Sequence, residues 1–263
     1  MGAKIKHYYC KKNANSENNF VPIWNEAPCG GKFIPSPNIP PTSYTPVMYM
    51  NGEGKTTIQP MMWNLIPSWH QGPDPNSHKL RTTNCRIENL LTSRLYKPCL
   101  SKRRCVVVCQ GFYEWHKTGG TKQPYFVYKP EEKVVFLAGL YSQWKDVCSF
   151  TIVTKDSAKD LAWMHDRMPV ILEDEQIMKW LDASLTPSEA VALLKKPQKT
   201  SLKWHKVSPD VGNIKNQDPM IMTEMKEENM VKDQVGSKNG KRKISSVENV
   251  MNVRRNVKKL KVA

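Results

Sequence analysis

Several patterns that would point to familiar kinds of protein are missing from this chain of 263 residues. Its seven cysteines form no Cys-x2-Cys pair and lie near no pair of histidines, so the sequence offers no zinc site. No apolar run is long enough to cross a bilayer, and the lysine-rich start lacks the apolar stretch typical of a signal peptide. We therefore expect no metal, no other cofactor and no membrane partner. The odd number of thiols predicts reduced cysteines in the cytosol or the nucleus.

Acidic residues are also scarce relative to basic ones. Lys and Arg number 40 against 24 Asp and Glu, which gives a formal net charge of +16 and a pI near 9.5. Such an excess favours a polyanionic partner such as nucleic acid over an acidic peptide or a neutral metabolite. Residues 231–263 hold ten of the basic residues and two of the acidic ones, so this tail carries +8, half of the excess.

The hydrophobic pattern predicts an α+β protein built on a strongly bent sheet or barrel. Residues 1–46 are rich in Asn and Pro and predict irregular chain wrapped over a core, because proline lacks an N–H and restricts its predecessor. Short runs of Val, Ile, Phe and Tyr between turn residues predict strands, and helical spacing or a capping box predicts helices. The predicted strands are 58–69 (strand and turn), 105–109, 125–128, 134–141, 149–154 and 202–207, and the predicted helices are 86–96, Asp174–Leu181 and one with Thr186 as N-cap, Pro187 and Glu189.

The two ends of the chain are predicted to lie outside the folded domain. We place an irregular N-terminal segment at 1–32, the domain at 33–224 and a disordered basic tail at 225–263, because hydrophobic periodicity fades towards the end. The basic clusters 241–243 and 258–261 are candidates for nuclear import signals or nonspecific DNA contacts, and a merely solvated tail is the alternative. The localisation they predict is nuclear, with the cytoplasm as a second compartment.

Three short segments combine side chains that move protons with side chains that hold phosphates. They are Thr-Asn-Cys-Arg at 83–86, Gly-Phe-Tyr-Glu-Trp at 111–115 and His-Asp-Arg-Met-Pro at 165–169. Glu114 follows an apolar run and lies between two aromatic residues, so partial desolvation is expected to raise its pKa towards neutrality. Taken singly, each segment has a structural alternative. Glu114 could end a strand in solvent, His165 could be structural, and Asn84 could cap a helix.

In this order the segments resemble the SRAP family, the SOS response-associated peptidase-like proteins. The similarity covers roughly residues 33–218 and includes eight motifs in the family's order. They are Pro-Met-Met-Trp at 60–63, Leu-Ile-Pro-Ser-Trp at 65–69, Asn-Cys-Arg at 84–86, Arg-Arg-Cys-Val-Val at 103–107, the segment at 111–115, Gln-Pro-Tyr-Phe at 123–126, the segment at 165–169 and Trp-His-Lys-Val-Ser at 204–208.

The resemblance implies a single-domain α+β fold with a curved β-barrel and a positively charged groove that recognises single-stranded DNA carrying an abasic site. In that family the initiator Met is removed and the α-amine of an N-terminal Cys condenses with the aldehyde of the abasic sugar. The thiolate then closes a thiazolidine, a stable crosslink that shields the lesion during replication. Because amine and thiol belong to one residue, the second attack is intramolecular and strongly favoured. The expected partners are this damaged DNA and replication-fork proteins, and the expected state is a monomer.

The likeness also assigns roles to individual side chains. Those implied to be catalytic, as the positioner of the nucleophile and as proton carriers, are Asn84, Glu114 and His165. Those implied to bind DNA, by phosphate contact or by stacking on a base for about 1 to 3 kcal/mol, are Arg86, Arg167, Trp69 and Trp115.

The start of the sequence departs from the family pattern. The family begins Met-Cys-Gly-Arg, whereas this chain begins Met-Gly-Ala-Lys, and Cys10 would become the N-terminus only if the residues before it were removed. Gly2 would still offer an amine for a reversible imine, but no thiazolidine could close without a thiol beside it. Either the authentic start is missing from this sequence, or the chain is a diverged relative that keeps the groove and proton carriers without the nucleophile. Retention of the three implied catalytic side chains favours the first explanation. Inside the domain, Asn64 stands where the family has a glycine.

The sequence leaves three functions open. The first is binding of abasic single-stranded DNA with crosslink formation, and the second is noncovalent single-strand binding by a pseudoenzyme. The third is the peptidase or autoprotease activity that the family name suggests, for which no Ser-His-Asp or Cys-His arrangement is visible.

Overall fold

The chain divides into two compact units, Met1–Glu224 and Met225–Ala263, and all elements below belong to the first. The structure is a computed structural model that describes residues 22–130, 134–196 and 202–225. Most of the predicted segment 1–32 and all but the first residue of the predicted tail 225–263 lie outside the described residues, so the predictions made for them stay predictions. In the part that is described, no helix is long and apolar enough to cross a membrane.

Five of the strands close into a β-barrel. The strands of the described residues are β1 (Ile23–Trp24), β2 (Tyr44–Met50), β3 (Thr56–Trp63), β4 (Asn84–Arg86), β5 (Arg104–Cys109), β6 (Gly111–Thr118), β7 (Thr121–Tyr128), β8 (Val135–Trp144), β9 (Val147–Asp156), β10 (Arg167–Pro169) and β11 (Lys203–Lys206). The ring runs β3–β2–β5–β8–β9, and β9 returns to β3 through a parallel pairing of Trp63 with Phe150. β1 extends the sheet at β3, and both β4 and β10 pair with β9. The predicted curved barrel and α+β class are confirmed.

Both faces of the barrel strand β5 are buried, which explains its continuous apolar sequence. Val106 and Val108 pack in the cluster that includes the helices, whereas Cys105 and Val107 pack in the cluster below the smaller sheet. A strand covered on both sides needs no polar alternation. Burial raises the pKa of the Cys105 thiol and raises that of Cys109 to about 12, so both thiols are poor nucleophiles.

Three helices lie against the barrel: α1 (Tyr96–Lys102), α2 (Asp174–Leu181) and α3 (Pro187–Lys195). α2 has the predicted bounds, and α3 begins with the predicted capping box, in which the Thr186 hydroxyl accepts from the Glu189 N–H at 3.3 Å and the Thr186 N–H donates to the Glu189 carboxylate at 2.9 Å. The predicted helix 86–96 is wrong. Its first residue belongs to β4, and only a short 3-10 turn, Ile87–Asn89, separates that strand from the chain leading to α1. Its apolar spacing serves burial of Ile87 and Leu90 rather than a helix.

Two strands in the supposedly irregular start were missed. β1 is a two-residue parallel addition to β3, and β2 begins at Tyr44 and runs through Pro46. Pro46 lies directly opposite Pro60 of β3, so the two residues without an N–H share one rung of the ladder. Strand β2 forms because it pairs with β3, and the proline content of the segment does not predict this pairing.

The turn after β3 stores backbone strain at Asn64. Its φ of +147° lies in the region that favours glycine, the residue that the family resemblance leads us to expect here. The Asn64 carboxamide compensates, because its oxygen accepts from the Thr82 hydroxyl at 2.7 Å while its backbone N–H donates to the Phe150 carbonyl at 3.1 Å. The first bond ties the end of β3 to the segment that enters β4, and the second ties it to β9.

A second sheet of three strands, in the order β11–β7–β6, covers one side of the barrel. Alternation along β6 divides its side chains between two faces. Phe112 packs towards the barrel cluster, together with its cross-strand neighbour Val127. Tyr113 and Trp115 pack on the other face, in a separate cluster around Phe126. The alternation of side chains along β6 therefore determines which of its residues face the barrel.

Candidate functional site

One pocket lies between the barrel and the smaller sheet, and three of the predicted site residues line it. Glu114 comes from β6, Arg167 from β10, and His165 from the turn just before β10. The remaining lining residues supply mostly apolar walls, and they are Phe112, Val127, Ser157, Leu161, Met164 and Met168. A carboxyl, an imidazole and a guanidinium thus meet in a largely apolar recess, a setting that shifts pKa values and suits proton transfer.

Glu114 lies within β6, facing the pocket, and so the alternative of a strand end in solvent is wrong. Burial raises the pKa of this carboxyl above its ordinary value, as predicted, and the neighbouring Asp166 acts in the same direction. The charge of His165 and a hydrogen bond from the Trp115 N–H, at 3.2 Å to Oε1, act in the opposite direction. The result is a carboxyl that holds its proton to a higher pH than an exposed glutamate does.

His165 has partners for both of its protonation states. The backbone N–H of Arg167 lies 3.0 Å from His165 Nδ1, and as a donor to that atom it favours the neutral tautomer with its proton on Nε2. The Asp166 carboxylate lies 3.1 Å from the same Nδ1 and is ready to accept from a protonated ring. Protonation of Nδ1 would exchange the Arg167 N–H for the Asp166 carboxylate as the partner of that atom, so His165 can be hydrogen-bonded in either state.

Arg167 is already engaged by carboxylates. Its Nη1 and Nη2 donate to the two oxygens of Glu88 at 3.0 and 2.9 Å, and Nη1 also pairs with Asp156. Nη2 donates further to the Thr154 carbonyl at 3.1 Å, while Nε is buried without a partner within the described residues. The predicted phosphate ligand therefore has the outer edge of its guanidinium occupied by acidic side chains.

Asn84 and Arg86 stand on the solvent side of β4, and Cys85 between them points into the core. Asn84 lies in a strand that pairs with β9, so the alternative that it caps a helix is wrong. Arg86 lies opposite Thr154 and interacts with Glu88, whose pKa it helps to lower. Arg167 binds Glu88, which follows Arg86 by two positions, so the two predicted phosphate ligands lie on one surface patch near this carboxylate.

The two predicted aromatic DNA ligands lie elsewhere. Trp69 is 63% exposed, but its neighbour His70 contacts Trp144 at the turn between β8 and β9, whereas His165 and Arg167 adjoin the other end of β9. Trp115 is half-buried against the cluster on the far face of β6. The structure therefore brings together Glu114, His165, Arg167 and Arg86, and it brings neither tryptophan into the pocket.

Sequence reasoning missed several residues that define this site. Glu88, Asp156 and Asp166 supply the negative charge around the arginine and the imidazole. Trp163 and His116 form an aromatic contact beside the pocket, with ring centroids 5.1 Å apart. The available signal was spacing: Glu88 follows Arg86 by two positions, and Trp163 precedes His165 by two.

The cysteines of the described residues stay away from the pocket. None of them lines it, and burial raises the pKa of most of their thiols, among them Cys85 to about 12 and Cys99 to about 11. A thiol in that state is a poor nucleophile. Among the same residues, no cluster of His, Cys, Asp and Glu has the geometry to hold a metal ion.

Known proteins are similar to this chain over most of its length. Residues 6–214 match the SOS response associated peptidase (SRAP) family. The abasic site processing protein HMCES of Xenopus tropicalis is 34% identical over 233 residues, which cover 76% of this chain and 69% of that protein, so the chain spans about two thirds of its length. The abasic site processing protein YedK of Escherichia coli is 31% identical over 166 residues, covering 61% of this chain and 72% of that protein.

The fold is also found among solved structures. A crystal structure of a protein from Bacteroides thetaiotaomicron aligns with a TM-score of 0.63 at 27% identity, covering 70% of this chain and 82% of that one. A second, from Bordetella bronchiseptica, aligns with a TM-score of 0.58 at 18% identity and shows the fold alone. With the match over residues 6–214 and relatives about one third identical, the chain belongs to the SRAP family.

Proposed function

We propose that this chain binds single-stranded DNA at abasic sites and promotes bond formation at the exposed sugar aldehyde. The observation that carries the proposal is the meeting of Glu114 and His165 in one apolar pocket beside the patch that holds Arg86 and Arg167. Relatives that are about one third identical are named abasic site processing proteins. A free aldehyde is the reactive group that such a lesion offers and an intact strand lacks.

Condensation of an amine with that aldehyde needs two proton movements. The attacking nitrogen loses a proton as the C–N bond forms, and the former aldehyde oxygen must gain protons before it leaves as water. Glu114, with its raised pKa, can supply a proton to that oxygen, and His165, with hydrogen-bond partners for both states, can accept one. Glu114 ends this step without its proton and His165 ends it with one more. Transfer of that proton from His165 to Glu114 returns both groups to their starting states.

The patch around Arg86 and Arg167 would hold the phosphates next to the lesion. Arg86 is exposed and free to meet a phosphate directly, whereas Arg167 must first exchange a carboxylate for it. The carboxylate of Glu88 is half exposed, so water can solvate it when it leaves. Binding at Arg167 is therefore an exchange of ion partners rather than a new contact.

The structure assigns no nucleophile among the residues that it describes. No described cysteine lines the pocket, and no described lysine does so either. A terminal amine with an adjacent thiol would close a thiazolidine, and an amine alone would stop at an imine.

The test is incubation with single-stranded oligonucleotides that carry one abasic site or none, followed by a denaturing gel with and without borohydride. A band that resists denaturation without reductant indicates a thiazolidine, and a band seen only with borohydride indicates an imine. Both should need the lesion, and both should fade in Glu114→Gln. Bands of equal strength from the intact strand would contradict the proposal.

A second candidate function is noncovalent single-strand binding. It is favoured by one observation, that no described thiol faces the pocket. In that case the gel shows no band under either condition, while a salt-sensitive complex still forms in solution. Mass spectrometry of the N-terminus of the native protein then decides whether a cysteine stands there.

A further inference from the structure

We propose that Trp163, with His116 and Trp204 around it, forms a stacking site for the nucleobase next to the abasic sugar. This inference rests on the proposed function and adds a subsite to it. Trp163 is 43% exposed although it is a large apolar residue, and it stands two positions before His165 in the same turn. Two other residues of this turn, Leu161 and Met164, are buried and line the pocket.

The position of Trp163 beside the pocket is fixed by three ring contacts. Its centroid lies 5.1 Å from that of His116, 5.2 Å from that of Tyr125 in an edge-on arrangement, and 6.2 Å from that of Trp204. Tyr125 is the cross-strand partner of Glu114, and directly opposite residues have Cβ atoms about 5 Å apart. The aromatic group therefore adjoins the carboxyl that we assign to proton transfer.

The alternation of side chains along β6 places the proposed stacking site on the same face as the pocket. Phe112, Glu114 and His116 alternate with Tyr113 and Trp115, so the imidazole of His116 continues the row that forms the pocket wall. A strand of DNA whose damaged sugar reaches Glu114 would carry its neighbouring base over His116 and Trp163. Trp115, to which the sequence assigns stacking, lies on the opposite face of the sheet.

The chemistry of the lesion explains why a base would choose this site. A base beside an abasic sugar has lost one stacking neighbour, so one of its faces is exposed to water. An exposed indole that offers a flat face takes the place of the missing base, and stacking of this kind tolerates any base because each has a π-face. Trp163 would thus contribute to discrimination between damaged and intact strands.

The experiment compares two oligonucleotides of equal length, both carrying tetrahydrofuran, an abasic analogue without an aldehyde. In one strand a single tetrahydrofuran has normal bases on both sides, and in the other the two flanking positions are tetrahydrofuran as well. Dissociation constants are measured at fixed salt by fluorescence anisotropy for the wild type, Trp163→Ala and Trp163→Phe. Ile214→Ala, which removes a side chain that is 59% exposed outside this group, is the matched control.

We expect the wild type to bind the flanked lesion about tenfold more tightly than the strand without flanking bases. Trp163→Ala should lose most of this difference, Trp163→Phe should keep most of it, and Ile214→Ala should leave it unchanged. Equal loss of affinity for both strands in Trp163→Ala, or no loss at all, would overturn the inference. Thermal unfolding of each variant shows whether a loss of affinity comes from a destabilised fold. If Trp163→Ala is destabilised, the result with Trp163→Phe decides whether the inference stands.

The outcome is distinguishable from failure of the proposed function. Because tetrahydrofuran cannot form an imine, the comparison reads base stacking without any bond formation. A wild type that gives no band with natural abasic strands, yet shows the expected base dependence, would lose the proposed chemistry and keep the stacking site. A band with natural abasic strands, without the expected base dependence, would support the proposed chemistry and exclude the stacking site.

Discussion

Replacement of Glu88 by glutamine tests whether the free protein holds Arg167 back from DNA. Glu88 binds both terminal nitrogens of the guanidinium, at 3.0 and 2.9 Å, and Asp156 pairs with one of them. A phosphate that approaches Arg167 must therefore displace a carboxylate of the same charge. Glutamine is nearly the same size but carries no charge, so it should yield its place more easily.

The size of the effect follows from exposure. The Glu88 side chain is 51% exposed and that of Arg167 is 16% exposed, so the pair is screened by water on one side. A pair that water reaches on one side contributes about 1 kcal/mol. Removal of the competitor should return up to that amount to DNA binding, which corresponds to an affinity about fivefold higher.

The assay is the affinity of an undamaged single-stranded oligonucleotide, measured by fluorescence anisotropy at two salt concentrations. Glu53→Gln is the matched control, because Glu53 pairs with Lys55 at 3.0 Å in the turn between β2 and β3 and its loss changes the net charge equally. The control reports the gain due to net charge alone, and Glu88→Gln should exceed it. Higher salt should reduce both gains.

One result would refute the reasoning. If Glu88→Gln weakens binding as much as Arg167→Ala does, then Glu88 orients the guanidinium for DNA and does not compete with it. Acid stability offers an independent check of the pair. The hydrogen bond from Arg167 lowers the pKa of Glu88, so its stabilising effect is present at neutral pH and is lost as the pH falls through that lowered value. Glu88→Gln should remove this part of the acid sensitivity.

Further predictions concern the site and the core. Arg86→Ala should weaken single-strand binding by about 1 kcal/mol and reduce its salt dependence, measured by the same titration. Glu114→Gln should slow crosslinking about a hundredfold with little change in affinity. It should also raise the melting temperature at neutral pH, because burial disfavours the ionised form of Glu114 and the neutral glutamine removes that cost. The gain should disappear at lower pH, where Glu114 is protonated. Arg104→Met should cost about 3 kcal/mol in urea unfolding, because buried Arg104 donates to the carbonyls of Trp180 and Leu100 at 2.7 and 2.6 Å.

Local signals in the sequence were sufficient for some elements. The capping box at Thr186 and Glu189 and the helical spacing of α2 depend on residues three or four positions apart, and both helices appear where these signals place them. The apolar run of β5 was equally clear, because a strand buried on both faces is apolar throughout. These elements could be predicted because their causes lie inside the segments that form them.

Elements whose cause lies elsewhere in the chain could not be predicted in this way. β4 is a strand only because β9 runs beside it, and its neighbours Ile87 and Leu90 have spacing that also suits a helix. The carboxylate on Arg167 comes from Glu88, 79 positions away. The residue types around Arg167 in the sequence do not indicate such a partner. The resemblance to a family supplied the site residues, and the structure supplied the charges that surround them.

The parity of β6 connects fold and function at this site. A carboxyl with a raised pKa must be shielded from water. Glu114 is shielded by residues on both faces of the sheet that contains β6. Tyr113 and Trp115 close the back of the sheet, while the turn that carries Trp163 and His165 closes the front. Since side chains alternate, a shift of one residue in the register of β6 would turn Trp115 towards the pocket and Glu114 towards the opposite cluster. The full pairing of β6 with β7, from Gly111 opposite Tyr128 to Thr118 opposite Thr121, prevents that shift. The tight turn that joins these strands is therefore as necessary to the chemistry as the residues in the pocket.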